Sequence, residues 1–455
     1  MYSVGDKNKY YTLYGEIRAD ILRGKLKEGD RLPSKRALAA ELGVSVITVQ
    51  LAYDQLLAEG YIRSKERSGY FVEAVTDYSA AKPASRVLQK ESADAPQAEK
   101  TDATQPQIDL TRGSAPVNLF PFSVWARLMR GVLADCGEHL LERVPCNGDK
   151  GLRTAIASEL YRNRGIDCDP ENIVIGGGAE HLYGVIVQLL GRDNVFAVEN
   201  PGYGRISSTY ALNGAKWVPI PVKSRGMDIN KLQNSSATVA HVSPAHQFPT
   251  GAVMPVSERT RMIEWAADGG KIIIEDDYDS EFRLTGKPLQ SMFSLCPERV
   301  IYMNTFSKSL APSMRMGYMV LPPRLAQKYK SVFKSSASIV PLFEQKTLAA
   351  MLDGGHFERH LSRLKNHYRE VRRLLLAALA NAEGCEVADT GSGLHVLARF
   401  SAAGGDENIK KEAERRGVKL KCLTDYFLSP ISGMENYAVI NYSSLTAEML
   451  KKTDN

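Results

Sequence analysis

The sequence predicts an α/β protein in two parts, and three observations carry that reading. Five short apolar runs, at Asn172–Ile175, Val195–Val198, Val239–Val242, Lys271–Ile274 and Val300–Met303, alternate with helical patterns such as Glu180–Leu190 and Glu258–Ala267. That alternation marks a mostly parallel sheet wrapped by helices. Residues 76–107 hold almost no large apolar side chains, too few to offset the entropy of ordering them, so a flexible linker is expected there. Residues 1–75 carry three helical patterns and then two short strand patterns, as a winged helix-turn-helix does. The expected division is therefore 1–75, a linker over 76–107 and a large domain over 108–455. Within the last, a large lobe spans about 140–335 and a small α+β lobe about 336–455.

The bulk numbers agree with this plan. At 455 residues the chain is too long for one ordinary domain, and 44% hydrophobic with 24% charged residues is a globular composition. No apolar stretch approaches a membrane span, and the first residues lack the apolar core of a signal peptide. Six scattered cysteines without Cys-x-x-Cys spacing indicate neither a zinc site nor a disulfide frame, so no metal is expected and the cytoplasm is the expected setting. A net charge of +6 permits nucleic-acid binding without arguing for it.

The first helical pattern covers Tyr11–Arg23. The second follows Pro33-Ser34 and ends at Gly43; the third has Ser45 as its N-cap and ends at Gly60. In the third, Val49, Ala52, Tyr53 and Leu56 share one face and are expected to pack inward, while Ile47, Gln50 and Leu51 face away with Thr48 alongside. This helix contains no arginine or lysine. Phosphate contacts are therefore expected from Lys35, Arg36, Arg63, Lys65 and Arg67. Base reading falls to Gln50, toward adenine, and to apolar contact with thymine methyls. Ser34, Ser45, Thr48 and Gly69 complete the expected surface, with Tyr61-Ile62-Arg63 and Gly69–Val72 as the hairpin wing.

Each run of the large domain empties into a chemically loaded loop. The last delivers Thr305-Phe306-Ser307-Lys308, with Arg315 seven residues on. Strand ends of a parallel sheet are where ligands bind, and a lysine among hydroxyls with a nearby guanidinium suits pyridoxal 5′-phosphate (PLP): amine for a Schiff base, hydroxyls and guanidinium for phosphate. The preceding run ends in Glu275-Asp276-Asp277-Tyr278-Asp279. A carboxylate there can keep the pyridine nitrogen protonated and a tyrosine can bond the phenolic oxygen. Asp276 and Tyr278 are assigned these roles because residues two apart point to one side of an extended chain. Asp277 or Glu275 replaces Asp276 if the strand end bulges. Gly176-Gly177-Gly178-Ala179, opening a helix, is the candidate phosphate cradle, through Gly178 and Ala179.

From about Ile108 onward the chain resembles the class I aminotransferases of PLP fold type I. The segments Glu275–Phe282, His246-Gln-Phe-Pro-Thr-Gly251 and Thr305-Phe-Ser-Lys-Ser-Leu310 narrow this to the MocR-type branch of the GntR regulators. Arg31-Leu-Pro-Ser-Lys-Arg-Ala-Leu-Ala39 resembles the GntR winged helix. The resemblance implies a regulator that senses PLP or an amine or amino-acid effector through Lys308, binds a double-stranded operator and forms a homodimer, with the winged helices exchanged head to tail. The alternative is a working aminotransferase that carries a DNA-binding domain. By resemblance Tyr203 lies beside the cofactor. Three departures stand out: Val46 where the family often has arginine, Phe248 where the enzymes place asparagine, and Val439 or a neighbour where they carry the arginine that grips a substrate carboxylate. Arg205 and Arg399 are the candidate replacements for that last residue.

Overall fold

A computed structural model describes residues 9–65, 68–74, 108–111, 113, 117–284, 289–388, 391, 393–401 and 404–451. The expected linker over 76–107 and the wing-tip residue Arg67 lie outside the described residues. The chain divides into two compact units, Met1–Asp102 and Ala103–Asn455.

The first unit holds α1 (Lys9–Leu22), α2 (Lys35–Leu42) and α3 (Val46–Ala58), then strands β1 (Ile62–Lys65) and β2 (Gly69–Val72), paired antiparallel. Ser34 and Ser45 cap α2 and α3 by accepting from Ala37 N and Thr48 N, and Gly43 ends α2 in the left-handed conformation. Val49, Ala52, Tyr53 and Leu56 are fully buried against Leu13, Ile17 and Leu38, as their spacing requires. Ile47 and Leu51 stay exposed.

The second unit is built on an eight-stranded sheet. Its strands are β4 (Ile173–Gly176), β5 (Val195–Asn200), β6 (Lys216–Lys223), β7 (Gly226–Met227), β8 (Val239–Val242), β9 (Ile272–Asp276), β10 (Val300–Thr305) and β11 (Gly317–Val320), in the order β4-β11-β10-β9-β8-β5-β6-β7. The strands from β10 through β6 run parallel, whereas β11 is antiparallel to both β10 and β4. β3 (Ile108–Asp109) pairs with β14 (Val418–Lys419) outside that sheet. The central strands are buried along their whole length, which explains their unbroken apolar sequence. Helices α4 (Phe122–Cys136), α5 (Lys150–Arg164) and α6 (Ala179–Leu190) precede or cover the sheet.

The long helix runs over His356–Ala380, the expected bounds. Beyond it, β12 (Cys385–Ala388), β13 (His395–Phe400), β15 (Lys421–Cys422) and β16 (Tyr437–Asn441) form a small antiparallel sheet in the order β12-β13-β16-β15. No helix among the described residues is long and apolar enough to cross a membrane.

Candidate cofactor and DNA sites

The strand ends of the large sheet converge on Lys308. Thr305 closes β10, and three residues later the Lys308 amine donates to the Gly113 carbonyl at 2.5 Å. A Cβ on Gly113 would stand 2.3 Å from that amine, which would have to swing aside. Desolvation pulls the lysine pKa below its ordinary value, against an opposing pull from Asp279. The neutral, nucleophilic amine is thereby favoured.

Asp276 closes β9 and is buried. Its Oδ2 accepts from the Tyr183 hydroxyl at 2.6 Å and lies 3.3 Å from His241 Nε2. With the His241 proton on Nε2, its Nδ1 accepts from the Tyr210 hydroxyl at 2.5 Å. The other carboxylate oxygen, Oδ1, is buried without a hydrogen-bond partner among the described residues. Such an oxygen is costly unless a donor arrives. The two alternatives hold other partners, although Asp277 Oδ1 is likewise buried without a hydrogen-bond partner among the described residues. Glu275 accepts from Ser291 Oγ (2.6 Å) and Phe293 N (2.9 Å), fastening the helix Met292–Leu295. Asp277 takes the Tyr302 hydroxyl (2.7 Å), Ser280 Oγ (2.8 Å) and an ion pair with buried Arg164 (2.7 Å).

Tyr278 lies two residues beyond Asp276, its hydroxyl 3.3 Å from His246 Nδ1, which is itself 3.0 Å from Asp279 Oδ2. Burial, with Asp279 and Asp276 close by, lifts its hydroxyl well above the ordinary phenol range. His246, Asp279 and His395 bring ligand atoms within 4.8 Å of one another. Their hydrogen bonds account for the cluster: His246 with Asp279, and His395 Nε2 with the Pro249 carbonyl at 3.1 Å.

Gly178 caps α6 at φ +90°, and a Cβ there would stand 3.3 Å from the Arg315 guanidinium. Helix N-terminus and guanidinium thus stand side by side, two features that favour an anion. Arg315 has no carboxylate partner among the described residues. Ala179 is the first residue of α6, while Thr305 is buried and Ser307 half-buried beside Lys308. Tyr203 is 43% exposed, its ring edge-on to Phe248 at 6.2 Å. The two candidate effector arginines are engaged on the surface: Arg205 with Glu180 at 2.6 Å, Arg399 with Glu386 at 3.6 Å. Val439 is buried with Leu397 and Leu423.

In the first unit, Arg31, Ser34, Lys35, Arg36, Gly69 and Tyr70 line one shallow cleft between the start of α2 and the wing. The Lys35 ammonium lies 5.4 Å from the Tyr70 ring centroid. Gln50 and Lys65 are exposed, Thr48 is half-buried, and Arg63 pairs with Glu73 at 3.1 Å. Sequence reading did not name Arg31, which lines this cleft. Its signal was local, since it abuts the quoted Leu-Pro-Ser turn. It also missed Tyr183, His241 and Gly113, which sit inside apolar or glycine-bearing stretches that read as scaffold.

Comparison with known proteins settles the family. Residues 9–72 match the bacterial regulatory proteins of the gntR family, and residues 106–447 match aminotransferase class I and II. The probable rhizopine catabolism regulatory protein MocR of Rhizobium meliloti is 33% identical, over 98% of this chain and 92% of that one. The chain belongs to the MocR-type branch of the GntR regulators. Another relative, the uncharacterized HTH-type transcriptional regulator YdeL of Bacillus subtilis (strain 168), is 36% identical over 90% of this chain and 88% of its own. The large domain superposes on an archaeal alanine:glyoxylate aminotransferase with a TM-score of 0.69 at 24% identity, over 80% of this chain and 92% of that chain. That likeness carries the fold alone. As a MocR-type regulator, the chain joins a DNA-binding winged helix to an aminotransferase-like domain.

Proposed function

We propose that this MocR-type regulator binds PLP at Lys308 and answers an amine or amino-acid effector there, changing how its winged helices engage a DNA operator. The observation that carries the reading is the buried Asp276 Oδ1, which lacks a donor on the same sheet edge as Lys308 and the Gly178–Arg315 cradle. A protonated pyridine nitrogen is the donor such an oxygen accepts. When bound, PLP supplies an aldehyde that joins an amine covalently and a ring that draws electrons.

The chain's own residues would do the rest. Arg315, Thr305, Ser307 and the backbone N–H groups of Gly178 and Ala179 hold the phosphate. Asp276 faces the ring nitrogen, oriented by Tyr183 and His241. Tyr278 turns its hydroxyl to the phenolic oxygen, and Tyr203 covers the ring. Lys308 provides the amine, its pKa drawn below the ordinary value by desolvation. An effector amine competes with Lys308 for the same bond. On DNA, Ser34, Lys35, Arg36, Ser45, Arg63, Lys65, Arg67 and Gly69 hold phosphates, while Thr48 and Gln50 read bases. The regulator works in the cytoplasm as a homodimer, with residues 76–107 long enough to exchange winged helices head to tail.

Lys308→Ala tests the cofactor half. The purified wild-type protein carries the visible absorbance of bound cofactor, the variant loses all of it, and both keep the same far-ultraviolet circular dichroism. A variant that stays yellow moves the site. Sustained turnover with amino donors and an α-keto acid would instead promote the aminotransferase reading. A stable monomer in light scattering counts against the dimer.

A further inference from the structure

Two buried side chains of the long helix His356–Ala380 close on the turn that presents Lys308. Phe357 lies edge-on to the Phe306 ring at 5.8 Å, and one turn later on the same face His360 Nε2 lies 2.8 Å from the Ser309 carbonyl. A carbonyl oxygen only accepts, so Nε2 of His360 carries the proton and donates it. Nδ1 then keeps a lone pair, and it is buried without a hydrogen-bond partner among the described residues. A second ring proton would leave a buried charge unpaired there. Burial draws the His360 pKa below its ordinary value, against an upward pull from the Ser309 carbonyl and with Arg363 adding to the fall. His360 is therefore a fixed donor of one tautomer rather than an acid or base.

Ser309, the residue after the lysine, is held through that carbonyl. Its hydroxyl is buried without a partner among the described residues. Backbone bonds close the turn on either side, from Phe306 N to the Met316 carbonyl at 3.0 Å and from Leu310 N to the Phe306 carbonyl at 2.8 Å. The same helix also reaches the small lobe. Two turns beyond His360, His367 Nε2 meets the Leu445 carbonyl at 3.2 Å, and the Tyr368 ring stands edge-on to Phe282 at 5.3 Å and to Tyr442 at 6.4 Å. One helix thus grips both the Lys308 turn and the chain leaving β16.

We propose that His360 is a positioning residue of the cofactor site: its bond to the Ser309 carbonyl places the Lys308 amine for covalent attachment, without touching the cofactor itself. This inference rests on PLP binding at Lys308. In that attachment the Lys308 nitrogen forms a C=N bond to the aldehyde carbon, and the aldehyde oxygen leaves as water with the two protons of the neutral amine. Phosphate, ring nitrogen and phenolic oxygen fall to other residues. Loss of the His360 bond therefore weakens the covalent attachment and spares the remaining contacts.

PLP and pyridoxamine 5′-phosphate separate these contributions, because the second carries an amine in place of the aldehyde and forms no bond with Lys308. Both are titrated into cofactor-free full-length protein by quenching of intrinsic fluorescence, with the visible band recorded for PLP. His360→Ala is expected to lower PLP affinity about tenfold, the order of one lost buried hydrogen bond, and to leave pyridoxamine 5′-phosphate affinity unchanged. His360→Gln, whose amide can donate in place of Nε2, restores PLP affinity. If the alanine variant does not fold, His360→Met, which fills the space and donates nothing, carries the same expectation. Equal losses for the two ligands, an unaltered PLP affinity, or a glutamine variant no better than alanine overturns the assignment. A wild-type protein that never acquires the cofactor band fails one step earlier, at the reading of Lys308, and takes this inference with it.

Discussion

The winged helix keeps its candidate functional groups exposed, whereas the sheet edge buries most of its own. In the winged helix the candidate contacts Lys35, Arg36, Gln50 and Lys65 are exposed or half-buried, and the core beneath includes the hydroxyls of Tyr14 and Tyr53, which donate to Glu59 Oε2 and the Pro33 carbonyl. At the sheet edge the decisive groups are buried: Asp276, Asp277, Glu275, His241 and the Tyr210 and Tyr183 hydroxyls. An exposed contact can be removed at almost no cost to folding, since surface substitutions are usually worth within about 0.5 kcal/mol. A buried polar group belongs to both the site and the fold, and altering it moves both.

The sharpest way to break this contrast is Asp276→Asn. The amide keeps the shape but loses the charge that a pyridinium requires, and hydrogen bonds to charged groups are worth about 1.5–3 kcal/mol. PLP affinity is expected to fall roughly 10- to 100-fold, and the melting temperature of the cofactor-free protein should change as well. Fluorescence titration with PLP and calorimetry of the apoprotein measure the two effects. An unchanged PLP affinity would return Glu275 or Asp277 to consideration.

Gln50→Ala probes the exposed side. It should cost roughly 1–3 kcal/mol on the preferred operator and relax base preference, with melting temperature and salt dependence intact. Equal losses on operator and random DNA in a filter-binding assay would shift base reading to Thr48 or the wing. Lys35→Ala should weaken binding to every sequence and flatten log K against log salt by about 0.9. A slope identical to wild type would mean that Lys35 spends its charge on Tyr70 rather than on phosphate.

The smallest effect concerns a buried group that no ligand need touch. Desolvation raises the Glu199 carboxyl to about 8, against weaker downward pulls from Gln247 and Ser243 N. A carboxyl whose folded pKa exceeds its unfolded value holds its proton more tightly in the folded state. Its contribution to stability is present at low pH and is lost as pH rises from the unfolded value, near 4.5, through about 8. Wild-type melting temperature should therefore fall between pH 6 and 9, and fall less in Glu199→Gln. Parallel curves for the two proteins would mean that Glu199 is ionised throughout.

What could be read from the sequence follows the same division. Caps, the inward stripe of α3 and the bounds of His356–Ala380 are set by residues a few positions apart, so local spacing reveals them. Five strands and the loops they feed were equally legible, because buried parallel strands leave unbroken apolar runs. The choice among Glu275, Asp276 and Asp277 was not, since it depends on Arg164, Ser291 and Tyr183, all distant in the chain. The antiparallel β11, inserted between β4 and β10, was also hidden.

The absence of cations from α3 has a consequence for selectivity. Every basic side chain expected on DNA sits on α2 or the wing, and Val46–Ala58 carries one ionisable acid, Asp54, besides Tyr53. Counterion release then depends only on groups that grip any duplex, and the groups that choose among sequences release none. Affinity for operator and for bulk DNA should decline in parallel as salt rises, leaving their ratio constant. In a cell under osmotic stress such a regulator would occupy fewer sites overall, yet would keep the same ranking among them.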